Sequence, residues 1–291
     1  MGTVAALYRY PVKSMLGEQL TRAEVTARGL TGDRRFAVLD GSGAVGSAKH
    51  PRKWGELLHC RSRLVGSGAS EGAEAAAAAR VELPDGTILS AGDAELDARL
   101  SRLLGRPVHV SDVPPEHGTL ERAVPEYPGG VPDVLRAGAV VDGTGSTITS
   151  GRVAPGTFFD FGAVHLVTTA SLRRLRGLHP AGDFDPRRFR PNLVVDVPDV
   201  DGFPEDSWAG ATMRVGRVLL RVTVPTPRCA VPTLGHDELP ADPGVMRAVA
   251  REHRVPVLTL GALACLGVYA EVLEPGTVRT GDAVTVGSAQ Q

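Results

Sequence analysis

The residues Thr212-Met213-Arg214-Val215-Gly216-Arg217-Val218-Leu219-Leu220-Arg221-Val222-Thr223-Val224 decide the fold of this chain. Two apolar runs, Thr212–Val215 and Val218–Val224, flank the pair Gly216-Arg217, which predicts an antiparallel hairpin. The chain then runs into Pro225-Thr226-Pro227-Arg228-Cys229. Two prolines stiffen that loop, which helps to hold a side chain in one geometry.

Outward from this hairpin the same grammar repeats. Val4–Tyr8, Phe36–Asp40, His165–Thr169, Asn192–Val197, Leu266–Leu273 and Ala283–Val286 read as strands. Arg80–Leu83 and Thr87–Ser90 flank Pro84-Asp85-Gly86 as a second hairpin. Helices are fewer: Ala94–Leu104 stopped by Gly105, Ala170–Leu178 capped by Thr169 or Ser171, and Pro243–Arg254. Many short antiparallel strands with a few helices predict a mainly β (α+β) protein, built as barrels or sandwiches. Residues 114–150 hold several Pro and Gly and little periodicity, which places a connecting segment between 1–113 and 151–291. Residues 66–79, rich in Ala, Gly, Ser and Glu, read as a surface loop or a short alanine-driven helix.

Composition limits function. Of 291 residues, 42% are hydrophobic and 22% charged, the balance of an ordinary globular protein. A net charge of −1 supplies no bulk field for nucleic acid or an anionic membrane, so any anion site needs a local concentration of Lys and Arg. The apolar run Val257–Ala270 is broken by Thr259, Gly261 and Gly267 and is too short to span a bilayer. The opening Met1-Gly2-Thr3-Val4 reads as the approach to a strand and not as a leader, so a cytoplasmic, monomeric protein is expected.

The three cysteines, Cys60, Cys229 and Cys265, are odd in number, widely spaced and without a CxxC pair, which argues against disulfides and against an all-thiolate iron–sulfur site. Cys60 follows Leu57-Leu58, and Cys265 lies among Ala262, Leu263, Ala264 and Leu266; both read as small buried hydrophobes. Cys229 instead sits in a turn beside Arg228, and an adjacent cation favours a thiolate. Such a group serves as a metal ligand or carries sulfur.

Four further runs hold polar chemistry. Arg187-Arg188-Phe189-Arg190-Pro191-Asn192 puts three planar guanidiniums before a strand, a pattern suited to oxyanions. Tyr10-Pro11-Val12-Lys13-Ser14 sets a Lys–Ser pair after a rigid turn. Gly32-Asp33-Arg34-Arg35-Phe36 and Ser47-Ala48-Lys49-His50 read, taken singly, as surface turns. No HExxH, phosphate loop or dinucleotide loop occurs, and His50, His59, His165 and His236 read as surface or core residues. Glu205-Asp206 before Ser207-Trp208 reads as a cap or turn.

In this order the pieces resemble one family. Tyr10-Pro11-Val12-Lys13-Ser14 followed by Gly29-Leu30-Thr31-Gly32-Asp33-Arg34-Arg35-Phe36 is similar to the β-barrel domain that precedes MOSC domains. Arg188-Phe189-Arg190-Pro191-Asn192, Glu205-Asp206-Ser207-Trp208, Arg228-Cys229 and Gly267-Val268-Tyr269-Ala270 resemble the MOSC domain itself. The chain most resembles the branch containing the mitochondrial amidoxime reducing component and its bacterial relatives. The resemblance implies two β-barrel-like domains with a few peripheral helices, and a pyranopterin molybdenum cofactor between them. It assigns Cys229 as the thiolate to molybdenum, with Lys13, Ser14, Arg34, Arg190, Asn192 and Arg228 around the pterin and its phosphate. Pyridoxal phosphate binding attaches to the family in general and to no residue here.

The implied chemistry is reduction of N-hydroxylated or N-oxygenated small molecules of the amidoxime or hydroxylamine type. The chain ends at Gln291 without the cysteines of a fused ferredoxin, so the expected electron donor is a separate ferredoxin, flavoprotein reductase or cytochrome-type protein. MOSC domains also occur in cofactor sulfurases. A persulfide carrier acting through Cys229, and a non-catalytic cofactor-binding protein, therefore stay open as alternatives.

Overall fold

Alternation along the strands fixes which side becomes core. In the decisive hairpin, Ala211, Met213 and Val215 on one arm and Val218, Leu220 and Val222 on the other are buried, while Arg214 and Arg221 point to solvent. The computed structural model describes residues 2–65, 78–124 and 138–289. Of the alanine-rich run at 66–79, the described part is Ala78 and Ala79, which open a strand; the rest lies outside the described residues.

Seven strands close into a barrel: β1 (Gly2–Arg9), β2 (Val164–Thr168), β3 (Leu193–Asp196), β4 (Ala211–Val215), β5 (Val218–Pro227), β6 (Ala262–Glu274) and β7 (Ala283–Ala289). Around the barrel the order is β2-β3-β1-β7-β4-β5-β6, and β6 returns to β2 through the pairs His165–Tyr269 and Val164–Ala270. β2 and β3 run parallel and every other neighbour in the ring is antiparallel. The crossover from β2 to β3 carries the helix Thr169–Leu178 and the short helix Pro186–Phe189. Val4, Leu7, Leu166, Leu193, Val195, Met213, Val222 and Val268 fill the interior. Closing the ring removes every exposed edge, which in an open sheet would invite pairing with other chains.

A second core lies outside the barrel. Val38, Trp54, Leu57, Val81, Leu96, Leu100 and Val110 pack together between two small sheets and the helix Ala94–Leu104. One sheet pairs Ala37–Asp40 with Val108–Ser111, the other pairs Arg61–Val65, Ala78–Glu82 and Ile88–Ser90. That helix stops where expected, with Gly105 at φ 64° as its left-handed cap. The N-cap of Thr169–Leu178 is Thr168, one residue before the expected pair; its Oγ1 accepts from Ser171 N–H at 3.1 Å.

The strands do not divide at 113/114. β1 supplies the barrel staff between β3 and β7, and Arg22–Thr26 pairs with Gly276–Arg279. The barrel could not close without the first residues of the chain. The segment at 114–150 is also more than a connection: Thr119–Ala123 and Val140–Val141 pair with Thr147–Arg152. Leu120 and Phe158 pack there on Ala37, Leu39 and Val45.

Candidate functional site

A cavity open to solvent lies where the loops of the second core meet one end of the barrel. Its N-terminal wall carries Lys13, Ser14, Arg34, Ser47, Ala48 and Lys49; the barrel wall carries His165, Arg190, Asn192, Arg228, Cys229 and Tyr269. Asp160 joins them from the loop between Thr147–Arg152 and β2. All seven residues singled out in the sequence therefore face one space.

The N-terminal wall is held by carboxylates. Lys13 Nζ donates to Asp160 Oδ1 at 2.6 Å and to Phe158 O at 2.7 Å, and Lys49 Nζ lies 2.7 Å from Asp160 Oδ2. Burial pulls the Lys13 ammonium down to about 8 against the opposing pull of Asp160. Burial pushes Asp160 upward, but Lys13 and Lys49 overcome it and hold the carboxyl well below the usual range. Arg34 donates to Asp33 Oδ2, and Asp33 Oδ1 accepts from Tyr10 N–H at 2.8 Å. Ser14 Oγ accepts from Ala48 N–H at 3.0 Å.

The barrel wall is held by backbone carbonyls. Asp185 caps Pro186–Phe189 by accepting from Arg187 N–H at 2.8 Å, and Pro186 begins the helix with a preset φ. Phe189 is buried, the chain reverses at Arg190, and Pro191 leads into β3. Arg228 Nη2 donates to Phe189 O at 2.8 Å, and Nη1 lies 3.3 Å from His165 Nε2. Arginine has no acceptor, so Nε2 accepts and the imidazole proton sits on Nδ1, which donates to Arg190 O at 3.4 Å. Burial, reinforced by Arg228, holds His165 well below its ordinary value and therefore neutral. Asn192 spends its amide on the scaffold: Oδ1 accepts from His165 N–H at 3.1 Å and Nδ2 donates to Tyr8 O at 3.4 Å. It positions the wall more than it offers itself to a ligand.

Three non-glycine residues of the site have left-handed backbones: Ser14 at φ 67°, Arg34 at 47° and Arg190 at 54°. Each costs about 1 kcal/mol relative to ordinary backbone. Such strain persists where the surroundings over-determine it, and here it aims three polar side chains at one point. The Tyr10 ring links two of them, with Arg190 Cζ 4.3 Å and Arg34 Cζ 4.9 Å from its centroid. Arg34 also donates to Arg190 O at 3.2 Å, tying one wall to the other. Burial lowers the Arg190 guanidinium to about 10, so it stays charged at neutral pH.

The cysteines divide as expected. Cys60 and Cys265 are fully buried, and burial pushes both thiols up to about 12. Cys229 is half-buried at the cavity. Four titratable cavity residues were not singled out as site residues from the sequence: Lys49, Asp160, His165 and Tyr269. His165, read as surface or core, is a cavity wall, and Lys49, read as surface, is an ion-pair partner of Asp160. Their placement depends on strand register and ion pairing across distant loops. One signal was present: Phe158, Phe159 and Phe161, three of only seven phenylalanines, surround Asp160.

The MOSC domain family matches residues 154–285, and the MOSC N-terminal beta barrel domain matches residues 1–69. The chain is a MOSC-domain protein. Among solved structures, the YuaD protein from Bacillus subtilis is similar, with a TM-score of 0.44 and 14% identity over 99% of this chain and 97% of that chain. YiiM from Geobacillus stearothermophilus has a TM-score of 0.31 and 19% identity, covering 44% of this chain and 55% of its own. YiiM from Escherichia coli gives 0.31 and 17% over the same shares. No curated protein matches the chain. MOSC domains are associated with molybdenum cofactor binding. No helix among the described residues of this MOSC protein is long and apolar enough to cross a membrane.

The residues present fit that cofactor. Five basic side chains (Lys13, Arg34, Lys49, Arg190, Arg228) against one carboxylate (Asp160) give the cavity a net positive lining in a near-neutral chain. Among the described residues no group of three or more His, Cys, Asp and Glu is arranged to hold a metal. The donor set is one thiol. That suits a metal arriving with its own organic chelator better than a bare ion needing several protein ligands.

Proposed function

We propose that this protein binds the pyranopterin molybdenum cofactor in the cavity and reduces N-hydroxylated or N-oxygenated small molecules. The observation that carries the reading is the convergence of an unspent, half-buried Cys229 thiol with the strained cation-bearing turns at Ser14, Arg34 and Arg190. When bound, the cofactor supplies two-electron redox chemistry at the metal. The residues do the rest. Cys229 holds the metal by its thiolate. Arg190, for whose guanidinium the described residues provide no hydrogen-bond acceptor, and Arg34 hold anionic oxygen, with Ser14 shaping the turn between them. Arg228 and Asn192 keep His165 and the barrel wall in place. Lys13 Nζ and Lys49 Nζ, held by the ionised Asp160, keep protons near the reaction, which consumes two electrons and two protons for each N–O bond broken and releases water.

The electrons come from a separate ferredoxin, flavoprotein or cytochrome-type donor. Burial of Cys60 and Cys265 leaves Cys229 as the accessible thiol, so these cysteines cannot build a relay of their own. A persulfide carrier is the weaker reading, because a lone mobile sulfur atom needs no set of buried and half-buried cations on two walls.

The test is metal and pterin analysis of protein made in a cofactor-competent host. The expected result is near-stoichiometric molybdenum with pterin fluorescence after oxidation, and reduction of benzamidoxime with an artificial donor. Cys229→Ala should lose most of the metal while keeping the wild-type melting temperature within a few degrees, since a half-buried thiol contributes little to packing. Metal-free wild-type protein carrying an extra sulfur on Cys229 would overturn the reading in favour of the carrier.

A further inference from the structure

Phe161 breaks the rule that the other phenylalanines of its neighbourhood obey. Phe158 and Phe189 are 1% exposed and Phe159 is 9% exposed, whereas Phe161 is 54% exposed. Its exposure is not that of a loose loop tip. Phe158 on one side is sunk among Leu39, Leu120 and Val153. Asp160, next to it, is clamped by Lys13 and Lys49 at 2.6 and 2.7 Å. On the other side Gly162 lies so close to Tyr269 that a Cβ there would come within 2.8 Å of the tyrosine Cβ. The loop is pinned at three consecutive points and holds an aromatic ring in water.

The ring is beside the site. Asp160 and Gly162, its two neighbours, line the cavity, and so does Tyr269, whose ring centroid lies 5.6 Å from that of Phe161 at an angle of 37°. The two rings form a tilted corner at the rim. Tyr269 is backed by His165 at 5.5 Å, its cross-strand partner in the barrel. Behind the corner the walls are polar and positively charged.

We infer that Phe161 is a specificity-determining residue, a ledge that takes the planar aromatic or heteroaromatic ring of the substrate while the N–O group enters the cavity. The inference rests on the reductase reading of the site and narrows its substrate class. Geometry favours a flat ring over an aliphatic chain, because aromatic pairs gain most in the offset and tilted arrangements that an open corner of two rings permits. A protein partner is the poorer occupant, since an interface needs a patch far larger than one side chain.

The experiment compares cofactor-loaded wild type, Phe161→Ala and Phe161→Trp with two probes, benzamidoxime and hydroxylamine. For Phe161→Ala the ratio of KM values, benzamidoxime over hydroxylamine, rises about three- to tenfold, the range one aromatic contact supports. Phe161→Trp restores the wild-type ratio. A second arm uses saturation-transfer NMR with benzamide, which cannot be reduced, on cofactor-free protein; Phe161→Ala weakens the ring-proton signal. An unchanged ratio, or a change in the KM for the electron donor in place of benzamidoxime, overturns the ledge. Wild type that reduces neither probe overturns the reductase reading instead, and the NMR arm still decides whether Phe161 holds an aromatic ring.

Discussion

The two walls of the cavity hold cations by opposite means. On the N-terminal wall each cation meets a carboxylate: Lys13 and Lys49 share Asp160, and Arg34 takes Asp33. On the barrel wall neither Arg190 nor Arg228 pairs with a carboxylate among the described residues. Arg228 is held by Phe189 O and a neutral imidazole, and Arg190 stacks on Tyr10. The N-terminal wall thus sets three cations against two carboxylates, while the barrel wall sets Arg190 and Arg228 against none and keeps the larger excess. That larger excess lies on the wall that carries Cys229, so an anionic ligand is drawn to the side where the thiol waits. The N-terminal wall is the more tightly held of the two, with one unit of positive charge left to contribute to anion binding.

The largest effect should come from removing the shared counter-charge of the N-terminal wall. Asp160→Asn removes the shared counter-charge and leaves Lys13, 6% exposed in its side chain, and Lys49, 16% exposed, facing each other. Breaking a buried pair costs several kcal/mol when the stranded charge is fully enclosed; with Asp160 27% exposed, about 2 kcal/mol is expected. Thermal unfolding measures it. An added anion should take the place of the missing carboxylate, so sulfate should raise the melting temperature of Asp160→Asn more than that of wild type. Equal responses would mean that the two lysines are not neutralised by Asp160 in the way the geometry implies.

Next is the barrel wall. Arg190→Met removes the guanidinium that lies over the Tyr10 ring and has no carboxylate partner, and puts an apolar side chain in its place. Charged hydrogen bonds contribute about 1.5–3 kcal/mol, so sulfate affinity measured by calorimetry should fall roughly ten- to hundredfold while stability is kept or improved. Arg34→Met should cost stability as well as affinity, because it strands Asp33, whose side chain is fully buried. If both variants lose stability alike, the contrast between the walls is false.

Much of this was legible in the sequence, for a physical reason. The hairpin at 212–224, the helix stopped by Gly105 and the buried cysteines are local: alternation, a glycine and apolar neighbours decide them. The cation-bearing turns carried enough resemblance to a family to be placed around Cys229 from sequence alone. What was not legible depends on contacts across long separations. Asp160 meets Lys13 at a separation of 147 residues, and His165 faces Tyr269 through the β2–β6 pairing that closes the barrel. Nor could periodicity tell that β1 belongs to the barrel made mostly of later strands, because a strand pattern does not name its neighbours.

The smallest effect is the most diagnostic, since it separates the walls by pH. Burial lowers Lys13 to about 8, against the upward pull of Asp160. Of the groups that line the cavity with it, His165 is held well below its ordinary value and stays neutral, and Tyr269 is raised and stays protonated. Lys13 is charged below pH 8 and neutral above, and an anion prefers the charged form. Sulfate affinity should therefore fall as pH rises through 8, by about fivefold between pH 7 and pH 9, where sulfate itself keeps a constant charge. Lys13→Met should bind more weakly at pH 7 and lose this slope. Arg190→Met should bind more weakly and keep it, because a guanidinium lowered to about 10 is still charged across the window. A slope that survives Lys13→Met would assign the titration to another group and leave the N-terminal wall without a part in anion binding.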